Sequence, residues 1–330
     1  MKKFLSFLLL LIFFIFMAAG CGARESDTSL SSTSGSQDLS DINTEASGTS
    51  ENRSVTFTDA LGREVTVDAP ERVGIASGSF AECWLLAGGT PTAVTQDALE
   101  ERDLELPKDI INLGSVMRPS AEAILDADLD LLILASNMKN HVELAETLDK
   151  VGINYAYVNI ETFDDYLNTL KIFTDITGRK DLYEQNGTAI SKQIDDIIAE
   201  SKMETAPKVL ILRTSSSKIT ARNSDTMVGQ MLKNLGCINI ADAEDSLLEE
   251  LSLEVIAREN PEYIFVICHG EVEEAKANLE NMMASNPIWN TLDAVKSDRL
   301  YYLEKELFHY KPNNRWAESY QVLAKIFAED

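Results

Sequence analysis

The sequence predicts an α/β protein of two similar lobes, each with a central, mainly parallel sheet, joined by a single long helix. Three observations carry that expectation. At 330 residues with 45% apolar content, the chain is long enough for two substantial cores. Residues 120–137 align without a gap on residues 252–269, and each copy reads as a capped helix start followed by a short apolar strand. Between the copies, Phe163, Tyr166, Leu167, Leu170, Phe173 and Ile176 recur at helical spacing, uninterrupted by Gly or Pro.

Taken in order, residues 1–20 have a lysine-charged start, an apolar run and Ala18-Ala19-Gly20 before Cys21. The run is too short for a spanning helix and fits a secretory signal. The small residues before the cysteine resemble a bacterial lipobox, which implies lipidation of Cys21. The alternative is a signal cut near Ala19 with an unmodified cysteine. Residues 21–54, rich in Ser, Thr, Gly and acids, read as a disordered tether. The formal charge of −25 argues against nucleic acid or an anionic membrane surface as partner.

The N-terminal lobe is expected over residues 55–161. It begins with a hairpin turning at Asp59-Ala60-Leu61-Gly62-Arg63, then a strand at 73–76, a Ser77-Gly78-Ser79 loop, a helix at 80–87, a strand at 91–94 and the first repeat. A loop after a parallel strand faces the ligand crevice in a doubly wound sheet, which makes Ser77 and Ser79 crevice candidates. A helix at 141–151 and a strand at 155–158 complete the lobe. The inter-lobe helix is placed at 162–178 and the second lobe at 179–330. That lobe has a helix at 182–203, a strand at 209–212, a polar loop at 213–217, a helix at 227–235, the second repeat, a helix at 272–283, a last strand at 300–303 and a closing helix at 316–327. Cys83, Cys237 and Cys268 lack the paired spacing of a structural zinc site and read as small core residues, with Cys268 of more interest beside His269.

In each repeat a serine is placed to cap the helix, and a glutamate, Glu122 or Glu254, stands in its positively polarised first turn. The tether, the two lobes, the rigid linking helix and the Gly-x-x-x-x-Pro-x-x-Glu segment of Gly114, Pro119 and Glu122 resemble the substrate-binding lipoproteins of iron-complex and cobalamin ABC importers. The resemblance covers roughly residues 54–328. It implies the class III periplasmic-binding-protein fold, a monomer held by lipid at the outer face of a cytoplasmic membrane, and docking of Glu122 and Glu254 into arginine pockets of the permease subunits. Helix-terminus electrostatics alone would also account for the two carboxylates, at some tenths of a kcal/mol each.

A closer likeness, at Gly114-Ser115-Val116-Met117-Arg118-Pro119, Cys268-His269-Gly270, Ile288-Trp289 and Arg299-Leu300-Tyr301-Tyr302-Leu303-Glu304, is to the haem-receptor lipoproteins of the Gram-positive iron-regulated surface determinant system. It implies haem as cargo, with iron held axially by Met117 and His269 from opposite lobes. A thioether and imidazole pair suits haem iron and leaves no open position for oxygen chemistry. Set against this, an isolated Met is usually a core filler and a lone His a hydrogen-bonded or surface residue. Arg118, Arg213, Arg222 and Lys311 are candidates for propionates, and His309 and Tyr310 for further crevice contacts, Tyr310 as an alternative axial ligand. With three histidines in all, a His-rich zinc or manganese site is not expected. Rival cargoes are a ferric siderophore or cobalamin. No GxGxxG after a strand, P-loop or GxSxG is present, so an enzyme is not expected.

Overall fold

The computed structural model describes residues 54–329; the signal, most of the tether and the Cys21 lipidation site lie outside the described residues. Among those residues no helix is long and apolar enough to cross a membrane.

Continuous apolar runs become fully buried central strands, as sheets covered on both faces require. In the N-terminal sheet the spatial order is Ile111–Asn112, Ala93–Val94, Val73–Ile75, Leu131–Ala135 and Asn154–Val158, all parallel. The chain reverses its direction of winding between Val73–Ile75 and Leu131–Ala135. In the C-terminal sheet, Lys208–Thr214 pairs in parallel with Tyr263–Cys268, which pairs with Leu300–Leu303. On the other flank of Lys208–Thr214 lie Ile238–Asn239, parallel, and Ile219–Arg222, antiparallel. Winding again reverses between Lys208–Thr214 and Tyr263–Cys268. The carboxyl ends of strands at such reversals are where doubly wound sheets hold ligands.

The helix Phe163–Thr177 is bounded by chemistry legible in the chain. Thr162 and Asp165 form a reciprocal capping box, and Gly178, at φ 74°, ends it in the left-handed conformation. Its buried face, including Tyr166, Leu170 and Phe173, belongs to a single core cluster that also takes Trp84 and Ile133 from the first lobe and Phe265 and Trp316 from the second. Phe173 meets Trp84 edge-on at 5.2 Å, and Phe163 meets Trp316 at 5.6 Å. The outer face of each sheet has its own cluster.

Several elements differ from expectation. The helix after Ser77 begins at Gly78 rather than Phe80, so Ser79 lies in a first turn and not in a loop. The expected helix at 182–203 is two helices, Lys180–Tyr183 and Ala189–Glu200, separated by a π-helical turn at Glu184–Thr188. Asn186 explains the interruption: its buried side chain donates to the Leu86 carbonyl at 2.9 Å, and its own carbonyl accepts from the Tyr166 hydroxyl at 2.8 Å. Residues 213–217 are not simply a loop but the end of a strand and its turn into Ile219–Arg222. The helix expected at 141–151 is split into Lys139–Val142 and Ala145–Val151.

Candidate functional site

On the first lobe, Gly114 stands at φ 84°, a conformation that side chains resist, and so starts a tight hairpin in which Gly114–Ser115 pairs with Arg118–Pro119. Met117 lies in the connection and is 61% exposed. Its carbonyl accepts from the Asn140 side chain at 2.8 Å, and the neighbouring Val116 carbonyl accepts from His141 Nε2 at 2.6 Å. The other nitrogen, His141 Nδ1, accepts from the Ala135 amide at 3.0 Å. His141, fully buried, therefore has one fixed tautomer and ties the Met117 hairpin to the carboxyl end of the central strand. Burial lowers its pKa against the opposing pull of Val116 and Asp97.

On the second lobe, His269 follows the last residue of Tyr263–Cys268, its amide bonded to the Thr214 carbonyl at 2.8 Å across the reversal. Its Nδ1 has two neighbours, Arg213 Nη2 at 3.1 Å and His309 Nε2 at 3.2 Å. Burial and the nearby Arg213 and Lys305 lower the His269 pKa, opposed by Glu101. Burial foremost, then interaction with His269 and with the positive Arg213, Lys305 and Lys311, push His309 down to about 3. Arg213 is itself depressed by burial and by Arg222. A cavity of about 270 Å³ opens here, lined by Arg213, Lys218, Arg222, Thr220 and His269 among others, with no carboxylate in its wall. In a chain of charge −25, Arg213, Lys218 and Arg222 make no ion pair among the described residues. Its size falls below the roughly 300–1,000 Å³ of small-molecule sites, as expected of one wall of a crevice.

The two carboxyl edges face each other. Glu161, just beyond the strand Asn154–Val158, accepts from Asn137 at 3.1 Å on its own lobe and from Lys311 at 2.9 Å on the other, and acts electrostatically on Arg213. Tyr310 donates to Glu101 at 2.7 Å. Lys311 and Tyr310 are thus committed to inter-lobe contacts, and a phenol engaged with a carboxylate is poorly placed as the alternative axial ligand. Ser79 accepts from Arg102 at 2.7 Å, whose guanidinium also pairs with Glu82. Ser77 is buried at the start of its helix, with no capping bond from its side chain. Arg118 is exposed on the hairpin. Glu122 and Glu254 are exposed in the first turns of Ala121–Asp126 and Leu253–Glu259, each behind a capping serine, Ser120 or Ser252. Cys83, Cys237 and Cys268 are buried free thiols whose pKa values burial raises, Cys237 to about 12.

Sequence reasoning missed His141, Asn140 and Lys218. For Lys218 a signal existed: Lys218, Thr220 and Arg222 alternate, which puts three polar residues on one side of a strand.

The periplasmic binding protein family model matches residues 75–307. The chain belongs to that family. Among curated relatives, the Fe(3+)-citrate-binding protein YfmC of Bacillus subtilis is 23% identical, covering 80% of this chain and 83% of its own. The high-affinity heme uptake system protein IsdE of Staphylococcus aureus is 22% identical over 68% of this chain and 76% of its own. The structure of S. aureus IsdE complexed with heme superposes with TM-score 0.66 at 20% identity, over 78% of this chain and 98% of that one. The catecholate-siderophore binding protein VctP of Vibrio cholerae gives 0.66 at 15%, over 84% and 100%. This periplasmic binding protein has the class III fold, and it is a binding protein rather than an enzyme.

Proposed function

We propose that this chain is the substrate-binding component of an ABC importer for an iron complex, and that its cargo is haem, gripped between Met117 and His269. The observation that carries the reading is the arrangement at His269: Nδ1 is turned toward Arg213 and His309, and Nε2 has no hydrogen-bond partner among the described residues. An imidazole so oriented at the end of a central strand, opposite a lobe bearing an exposed thioether on an anchored hairpin, matches the donor chemistry of a six-coordinate haem. Arg213, Lys218 and Arg222 supply counter-charge for propionates. IsdE, a relative, is named for heme uptake. Glu122 and Glu254 dock the loaded lobes on the permease, and lipid on Cys21 holds the protein at the outer face of the membrane.

Titration of the purified chain with haem is expected to give a low-spin Soret spectrum that Met117→Ala and His269→Ala each lose. An unchanged spectrum in either variant would falsify the axial assignment. Cys21→Ala is expected to release the protein into the medium; retention in the membrane fraction overturns the anchor.

One observation favours a second reading. A cationic wall without a carboxylate also fits a ferric carboxylate complex, and YfmC is named for ferric citrate. In that case Arg222→Ala weakens ferric citrate binding about 10-fold to 100-fold, as loss of a charge-assisted hydrogen bond does, while His269→Ala has little effect.

A further inference from the structure

Iron binds an imidazole nitrogen only through its lone pair, and a neutral imidazole has one lone pair and one N–H. At His269, Arg213 lies 3.1 Å from Nδ1 and is able only to donate. While that bond holds, the ring proton sits on Nε2 and blocks the nitrogen that has no protein partner. For Nε2 to ligate, the ring proton must stand on Nδ1, where a guanidinium then opposes it. Among the described residues, the one other side chain within hydrogen-bond distance of Nδ1 is His309, its Nε2 at 3.2 Å and the ring centroids 5.0 Å apart.

We infer that His309 is a positioning residue for cargo: its Nε2 accepts the Nδ1 proton of His269 whenever His269 binds iron through Nε2, taking the place of Arg213 at that nitrogen. The inference rests on the haem reading above. The proton lost from Nε2 to solvent is matched by one gained on Nδ1, so His269 ends neutral and no net proton is released. His309 carries its own proton on Nδ1. The exchange also frees Arg213, which can only donate, for an anionic group of the cargo. A hydrogen bond accepted from a ligating imidazole raises the basicity of that imidazole and favours the ferric iron.

The test uses the full chain with haem, comparing wild type, His309→Ala and His309→Gln, which keeps an acceptor oxygen. His309→Ala is expected to keep a six-coordinate spectrum with an upward shift in midpoint potential and haem release faster by about tenfold; His309→Gln is expected to restore most of both. Wild-type potential and release in His309→Ala, with His269→Ala losing the low-spin spectrum, overturn the inference alone. A wild-type chain that takes no haem, or a spectrum that survives His269→Ala, overturns the haem reading and the inference with it.

Discussion

The imidazole of His141 has no room for a second proton, because Nδ1 already accepts from Ala135 and Nε2 already donates to Val116. Its pKa is lowered from the ordinary 6.5, as are those of His269 and His309. Below 6.5 the unfolded chain therefore binds protons that the folded one refuses. Stability is full above that value and declines as pH falls through it toward the folded pKa values. Urea denaturation between pH 7 and pH 5 is expected to show this decline, with a shallower slope in His141→Gln; an equal slope in the variant would remove His141 from the account. Asp59 works in the same sense lower down. Burial raises its pKa, but bonds from Arg63, Tyr157 and Leu61 outweigh that and leave it below 3.8, so its contribution is lost only as pH falls below that value. At this scale the sequence told half. Met117 stands out by its motif, whereas in the sequence His141 shows only as the start of a helix, because its partner carbonyl is 25 residues away.

Elements were most legible where one physical rule acts alone. The helix Phe163–Thr177 combines an apolar period, a capping box and a terminal glycine, and the buried strands Leu131–Ala135 and Tyr263–Cys268 are continuous apolar runs. What stayed hidden was short or tertiary in origin. The two-residue strands Ile111–Asn112 and Ile238–Asn239 have no period to read, Ile219–Arg222 is defined by its pairing with Lys208–Thr214, and the π-helical turn exists because Asn186 reaches across to Leu86. The Gly114 hairpin, which carries Met117, is the case that bears on the haem reading. Any side chain at φ 84° is strained by about 1–2 kcal/mol, although no clash adds to this, since a Cβ added there would stand in ordinary van der Waals contact, 3.7 Å from the Ser120 amide. Gly114→Ala is therefore expected to lower unfolding free energy by that amount, read by urea denaturation. A neutral result would mean that the hairpin relaxes, and the Met117 geometry with it.

The whole molecule is held by a core that does not respect its two lobes. Because Phe173 packs on Trp84 and Phe163 on Trp316, the linking helix is embedded in apolar contacts from both sides. Phe173→Ala, at a site with no exposure, is expected to cost about 3–5 kcal/mol. A linker buried in that way resists large closure, so the surface offered to a permease is set by the fold itself. Glu122 and Glu254 then form a fixed pair, one per lobe, exposed and in no ion pair among the described residues. Helix-terminus electrostatics assigns each no more than about 1 kcal/mol of stability. Docking predicts a different pattern. Glu122→Lys and Glu254→Lys are expected to leave thermal stability and cargo affinity near wild type, while each weakens association with the permease and the double variant abolishes it. The wild-type association should itself weaken steeply with added salt. Transport that survives the double reversal would leave the carboxylates as helix-end charges and nothing more.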